Sequence, residues 1–202
     1  MDLTSPLLIG AVQTSLLEII AVTFGLIYIW LMMKEKVLAY PFGIVNVLIY
    51  IYICYSSRLY AYAAINFFYF IMSIYGWYKW TRKGEGGESV TIALCTAREL
   101  ILNGLAFSGL VFILWALLSR FTDSTIPVWD AVTSSIYIIG MWLLALKKIE
   151  NWLLWIAGDF ISVGLFAYEK LWFSSLQFFV FTVIATFGYL AWKRKLKSGI
   201  HV

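Results

Sequence analysis

The chain has 202 residues, of which 62% are apolar and only 13% charged, with a net charge of +4. Soluble domains carry about 45–50% apolar and about 25% charged residues, so the composition excludes a soluble fold and leaves one membrane domain, residues 1–202, with short loops. The modest basic excess lies in loops and the tail, where it reports topology and not nucleic-acid binding. A single histidine, His201, and two isolated cysteines, Cys54 and Cys95, leave metal sites, cofactors and histidine-based catalysis without support. No enzyme activity is expected.

The opening residues, Met1 to Pro6, contain no basic n-region, so the first apolar segment is expected to stay in the mature protein. A spanning helix needs about 20 mostly apolar residues. Seven stretches qualify: 15–33, 39–56, 60–80, 99–119, 127–146, 151–168 and 172–192. Pro41 and Pro127 sit near helix starts, where proline is tolerated. The long polar linker runs from Thr81 to Glu99 and contains Gly84, Glu85, Gly86, Gly87 and Glu88.

The second half of the chain repeats the first at an offset of 112 residues. Glu18 falls on Asp130, Trp30 on Trp142, Lys36 on Lys148, and the block Gly76 to Lys83 on Gly188 to Lys195. A one-residue slip places Asn46 opposite Asp159. The expected fold is all-α, with seven transmembrane helices as two parallel three-helix repeats (about 15–83 and 127–195) joined by a connector helix (about 99–119). Three helices cross the membrane an odd number of times, so one further span is needed to keep both copies parallel. SWEET-type transporters are built on the same logic. Small-solute carriers place their site at the repeat interface near the bilayer midplane.

Basic residues sort across these spans. Lys34, Lys36, Lys79, Arg82, Lys83, Arg98, Lys147, Lys148, Lys193, Arg194, Lys195 and Lys197 fall on one side, and Arg58, Arg120 and Lys170 on the other. Loops rich in Lys and Arg stay in the cytoplasm. The N-terminus is therefore expected outside and the C-terminus inside.

Polar groups within spans need a reason to be there. Asp159 lies near the middle of the sixth span, where an aspartate costs about 2.5–3.5 kcal/mol on insertion scales. Asn46 is its repeat counterpart, and Asn66 and Gln177 form a second pair, one residue apart in register. Their places predict a polar chamber; interhelical hydrogen bonding is the alternative reading of each amide. Trp152, Trp155 and Asp159 share a helix face at i, i+3 and i+7. Asn66, Tyr69 and Ser73 share another, as do Gln177 and Phe181. Indole and phenol faces beside a carboxylate suit a flat cationic ring. Trp80, Trp192 and Trp152 also fit an interfacial aromatic belt beside basic loops. Glu18 and Asp130, near the outer N-terminal ends of their helices, are expected to complement the helix dipole, with a place at the outer gate as the alternative. The chain contains no Gly-x-x-x-x-Gly-Lys-Ser/Thr phosphate loop and no regularly spaced arginines, so neither ATP hydrolysis by that route nor voltage sensing is expected.

Three segments resemble the PnuC-type vitamin transporters of bacteria: Ser73 to Trp80, Ile126 to Thr133, and Lys147 to Ile156 followed by Asp159. The resemblance runs from the first helix to Trp192. It implies seven helices in a three-one-three arrangement in a bacterial inner membrane. It also implies uptake of a vitamin by facilitated diffusion, with a cytoplasmic kinase trapping the product. Nicotinamide riboside is the substrate it implies first, with thiamine and riboflavin as alternatives. On this reading Trp152 and Trp155 stack on the pyridinium ring. Asp159, Asn46, Asn66 and Gln177 bind ribose hydroxyls, the carboxamide or the positive charge, with Tyr69, Ser73 and Phe181 on the same faces. Many members carry Asn where this chain has Asp159; the added carboxylate favours a cationic substrate or serves a proton-coupled symporter. The expected partners are a small-molecule vitamin and the lipid bilayer, with homo-oligomers possible on aromatic-rich outer faces.

Overall fold

The computed structural model describes residues 6–9, 12–56, 60–82, 90–122, 124–168, 170 and 172–198. Arg58, Lys83, the linker residues 84–88 and His201 lie outside them. Seven helices follow in order: α1 (Leu16–Met33), α2 (Ala39–Ser56), α3 (Tyr60–Thr81), α4 (Ala97–Phe121), α5 (Pro127–Ala145), α6 (Glu150–Tyr168) and α7 (Trp172–Ser198). The departure from an all-helical chain is a hairpin ahead of α1. It pairs β1 (Pro6–Ile9) with β2 (Val12–Ser15), Pro6 opposite Ser15 and Ile9 opposite Val12. That stretch is too short to span, and its backbone groups still need partners, which the ladder supplies.

Six of the seven helices are long and apolar enough to cross a membrane. The seventh, α3, has 22 residues, about 33 Å at helical rise, which is also sufficient. It falls short in apolarity because it is rich in tyrosine and tryptophan, whose polar atoms lower their hydropathy. The chain is thus a multi-pass membrane protein, and large apolar side chains are exposed along the helices, including Leu26, Phe67, Leu105, Phe112, Phe160 and Phe187. Basic side chains lie over aromatic rings at helix ends: Lys34 is 3.8 Å from the centre of the Trp30 ring and Lys193 is 5.3 Å from that of Tyr189.

The chain divides into two compact units, residues 1–89 and 90–202. In the first, α2 packs against both α1 and α3; in the second, α4 packs on α5, α5 on α6 and α6 on α7. The α1–α2 turn of the first unit and the α5–α6 turn of the second are built in the same way. Glu35 and Lys147 both adopt a left-handed backbone, with φ of 60° and 53°. The N–H groups of Glu35 and Lys36 donate to Met32 and Leu31 (3.0 Å each), and those of Lys147 and Lys148 to Leu144 and Leu143 (3.0 and 2.9 Å). Tyr40 N–H donates to Val37 and Trp152 N–H to Ile149, both at 3.1 Å.

The helix contacts repeat too. Tyr40 meets Trp80 edge-on with ring centres 5.2 Å apart, and Trp152 meets Trp192 edge-on at 5.6 Å. Gly76 makes room for the Tyr40 ring, and Gly188 for that of Trp152. All four aromatic residues are buried, so Trp80, Trp192 and Trp152 do not form a belt at the membrane surface. The glycine on α3 or α7 lets the ring on α2 or α6 lie against the helix backbone, which draws it inward. Trp30, Trp77, Trp129, Trp142 and Trp172 are the exposed tryptophans of the helix ends.

The segment before α4 is strapped to the α5–α6 turn. Ala93 N–H donates to Lys147 C=O (3.1 Å) and Ile149 N–H to Ala93 C=O (3.0 Å). Cys95 N–H donates to Glu150 Oε1 at 2.8 Å, and the Lys148 ammonium reaches Glu99 at 2.8 Å and Leu94 C=O at 3.2 Å. Thr96 and Glu99 close a capping box, which satisfies free N–H groups of the first turn. Burial, reinforced by Glu150, pushes the Cys95 thiol up to about 12. The thiolate is the reactive form, so in a Cys54→Ser background Cys95 is expected to react with maleimide about tenfold or more slower than a free thiol. Unfolding restores the rate; fast reaction in the folded protein would contradict the strap.

Candidate functional site

The site begins with glycines at the α5–α6 contact. A Cβ on Gly158 would lie 2.7 Å from the Tyr137 ring, and one on Gly140 would lie 3.6 Å from the Trp155 ring. Glycine at Gly158 therefore lets Tyr137 lie directly on the backbone of α6. The Tyr137 and Trp155 rings stack with centres 5.3 Å apart and planes 30° from parallel. The Tyr137 hydroxyl donates to Asp159 Oδ1 at 3.0 Å, and it stands 3.0 Å from Ser162 Oγ.

Asp159 and Ser162 are buried, at 4% and 3% exposure. Among the described residues no cationic side chain pairs with Asp159. A buried carboxylate is costly unless it is paired and hydrogen-bonded. The tyrosine supplies one charge-assisted hydrogen bond, and the counter-charge is missing. The arrangement can therefore accept a cation, and the indole beside it can accept a flat ring.

Of the predicted residues, Trp155 and Asp159 are brought together here. Sequence reasoning missed Tyr137 and Ser162. The available signal was Gly158 beside the charged Asp159, since a glycine on a helix contact admits a large side chain from the neighbour. Trp152 lies apart, buried against Gly188 and Trp192. One face of Trp155 is taken by Tyr137, and the indole is half-buried. On α7, Gln177 is exposed, and Phe181 is half-buried with its ring edge-on to Phe178 at 6.1 Å.

In the first unit, the Asn46 amide donates to the Ala21 carbonyl at 2.7 Å, tying α2 to α1. That is the interhelical role weighed as the alternative for this residue. Ser73 is buried on α3, where Asn66 and Tyr69 are half-buried.

The one-residue slip between repeats is corrected by these contacts. The helices are unbroken α-helix, so the register set at their turns and glycines holds along their length. At the constant offset of 112, Asn46 corresponds to Gly158, Asp159 to Val47, Asn66 to Phe178 and Gln177 to Ile65. The polar residues are not at equivalent places. Instead, large and small partners are exchanged between helices. Gly25 on α1 faces Asn46 on α2, whereas Tyr137 on α5 faces Gly158 on α6; Tyr28 faces Gly43, whereas Gly140 faces Trp155. Each contact keeps one glycine and one large side chain, but the second unit gains the stacked Tyr137–Trp155 pair.

The family model described as nicotinamide mononucleotide transporter matches residues 15–194. The chain is 29% identical over 212 residues to the nicotinamide riboside transporter PnuC of Escherichia coli (strain K12), covering 93% of this chain and 89% of the relative. It is 25% identical over 199 residues to the nicotinamide riboside transporter PnuC of Neisseria mucosa, covering 91% of this chain and 74% of that one. Among solved structures, the crystal structure of the vitamin B3 transporter PnuC superposes with a TM-score of 0.70 at 24% identity, over 93% of this chain and 83% of the other.

Proposed function

The chain belongs to the nicotinamide mononucleotide transporter family, a family of transporters and not enzymes, and on that premise we propose that it takes up nicotinamide riboside across a bacterial inner membrane. The observation that carries this reading is Asp159, a buried carboxylate without a cationic partner among the described residues, beside the stacked Trp155. Nicotinamide riboside is a pyridinium nucleoside. Its ring brings a positive charge to Asp159, and the Trp155 indole beside it suits a cation–π contact. The names of the relatives support the same substrate. Gln177 and Phe181 on α7 are the further side chains of this unit assigned to the substrate.

Transport is proposed as uniport by alternating access, driven by the substrate gradient and sustained by phosphorylation of the product in the cytoplasm. The two three-helix repeats are proposed to run parallel with α4 as connector, the N-terminus outside and the C-terminus inside. The repeated turns and the paired Tyr40–Trp80 and Trp152–Trp192 contacts support the repeat.

The test is thermal stabilisation of detergent-purified protein against nicotinamide riboside, thiamine and riboflavin, followed by flux into liposomes. A ligand specific for the folded state raises the melting temperature with its concentration over Kd. Stabilisation and saturable flux with nicotinamide riboside are expected. Stabilisation by thiamine alone would move the substrate to that second cationic ring. A second reading has the same observation behind it: an unpaired buried carboxylate also suits proton coupling. Substrate accumulation in kinase-free vesicles that collapses with a protonophore would favour a symporter over the uniporter.

A further inference from the structure

We propose that Tyr137 is a positioning residue for substrate selection: with Ser162 it holds Asp159 as a directed acceptor beside Trp155, so that this face selects flat cationic rings over neutral ones. The proposal rests on the transport reading above and adds to it the groups that set the charge preference.

The hydroxyl inventory gives the direction. Tyr137 Oη carries one proton. It lies 3.0 Å from Asp159 Oδ1 and 3.0 Å from Ser162 Oγ. A carboxylate only accepts, so the tyrosine proton goes to Asp159. Ser162 must then donate to Tyr137. The chain runs from Ser162 to Tyr137 to Asp159, and it stabilises negative charge at that end.

The same tyrosine also fixes the ring beside that charge. Its plane stacks on Trp155, and its edge rests on Gly158, where a Cβ would lie 2.7 Å away. Moving Tyr137 therefore disturbs the indole and the carboxylate together. The first unit has no such arrangement at the matching places: Gly25 stands where the second unit has Tyr137, and Asn46 where it has Gly158. Charge selection is accordingly a property of the second unit.

The experiment measures binding by the full-length protein of nicotinamide riboside and of its neutral 1,4-dihydro form, and reads the ratio of the two affinities. A structural defect weakens both ligands and leaves the ratio in place; loss of positioning lowers it. Tyr137→Phe keeps the stacked ring and removes the hydroxyl. It is expected to lower the cation-over-neutral ratio about tenfold, as for loss of a hydrogen bond to a charged group, with Ser162→Ala lowering it less. A Tyr137→Phe protein that keeps the wild-type ratio overturns the positioning role and leaves the transport reading intact. If Tyr137→Phe does not fold, Ser162→Ala decides: a lowered ratio supports the proposal and an unchanged one overturns it. If the wild type binds thiamine but not nicotinamide riboside, the substrate reading fails. The ratio is then read with thiamine against a neutral thiazole, with the same criteria. A wild type with no preference for cationic rings overturns the proposal.

Discussion

Replacing Asp159 by Asn weakens binding of nicotinamide riboside about 30-fold or more while raising the melting temperature of the ligand-free protein. The two effects have one cause. The carboxylate is buried, holds one tyrosine hydrogen bond and has no cationic partner among the described residues. Asparagine has nearly the same shape and still accepts from Tyr137, but it carries no charge to desolvate. The folded state gains from the change. The bound cation loses its counter-charge, and truncating one member of a buried, hydrogen-bonded charge pair costs about 2–5 kcal/mol. Since about 1.4 kcal/mol is tenfold, the lower end already gives the expected loss. Melting curves and uptake on the same preparations check both signs. A variant that transports with unchanged affinity would remove Asp159 from the site, whatever its stability.

The second large effect is on folding. Gly188→Ala is expected to lower the melting temperature sharply in detergent, because the new methyl would lie 2.5–2.6 Å from three atoms of the Trp152 ring. The ring is 4% exposed and braced edge-on by Trp192, itself fully buried, so it has nowhere to go. Overpacking of this kind costs about 1–3 kcal/mol and sometimes more. Gly76→Ala against Tyr40 is expected to behave the same way, since the contact is repeated in the first unit. Gly104→Ala on α4 is the control: a Cβ there meets nothing within 4 Å, and alanine is the better helix former. If Gly188→Ala melts like wild type while Gly104→Ala also does, the α6–α7 contact is looser than drawn. Shrinking Trp152 in the Gly188→Ala background should recover part of the loss, as expected for residues in direct contact.

The spans were legible because lipid makes a simple demand of a sequence. About 20 apolar residues in a row must become a helix, since nothing else satisfies their backbone there. The expected 39–56 stretch is α2, Ala39–Ser56, and the expected 127–146 stretch is α5, Pro127–Ala145. Hydropathy misplaced the ends where polar residues continue a helix: α7 runs on to Ser198 through lysines and arginine that form helix well outside lipid. The capping box starts α4 at Ala97, ahead of the expected 99. The matching spacing of Gly76 and Trp80 with Gly188 and Trp192 was also visible in the sequence, and the two pairs make matching contacts.

The site was legible only in part. Asp159 and Trp155 stood out because a carboxylate within a span is expensive and an indole one turn away shares its face. Tyr137 did not stand out, since a tyrosine on an apolar helix has no cost that marks it. Its role depends on Gly158 across the contact, a pairing between residues on different helices. Asn46 was misaligned for a related reason: matching polar residue to polar residue invited a slip, whereas the turns and glycines require a constant register. Composition and spacing by themselves thus determined the membrane-spanning helices and the costly carboxylate, because each follows from transfer free energy along one helix. Which ring covers that carboxylate, which tryptophans are buried, and which polar residues are packing bonds were decided by the tertiary structure, because each depends on the volume that a facing helix leaves open.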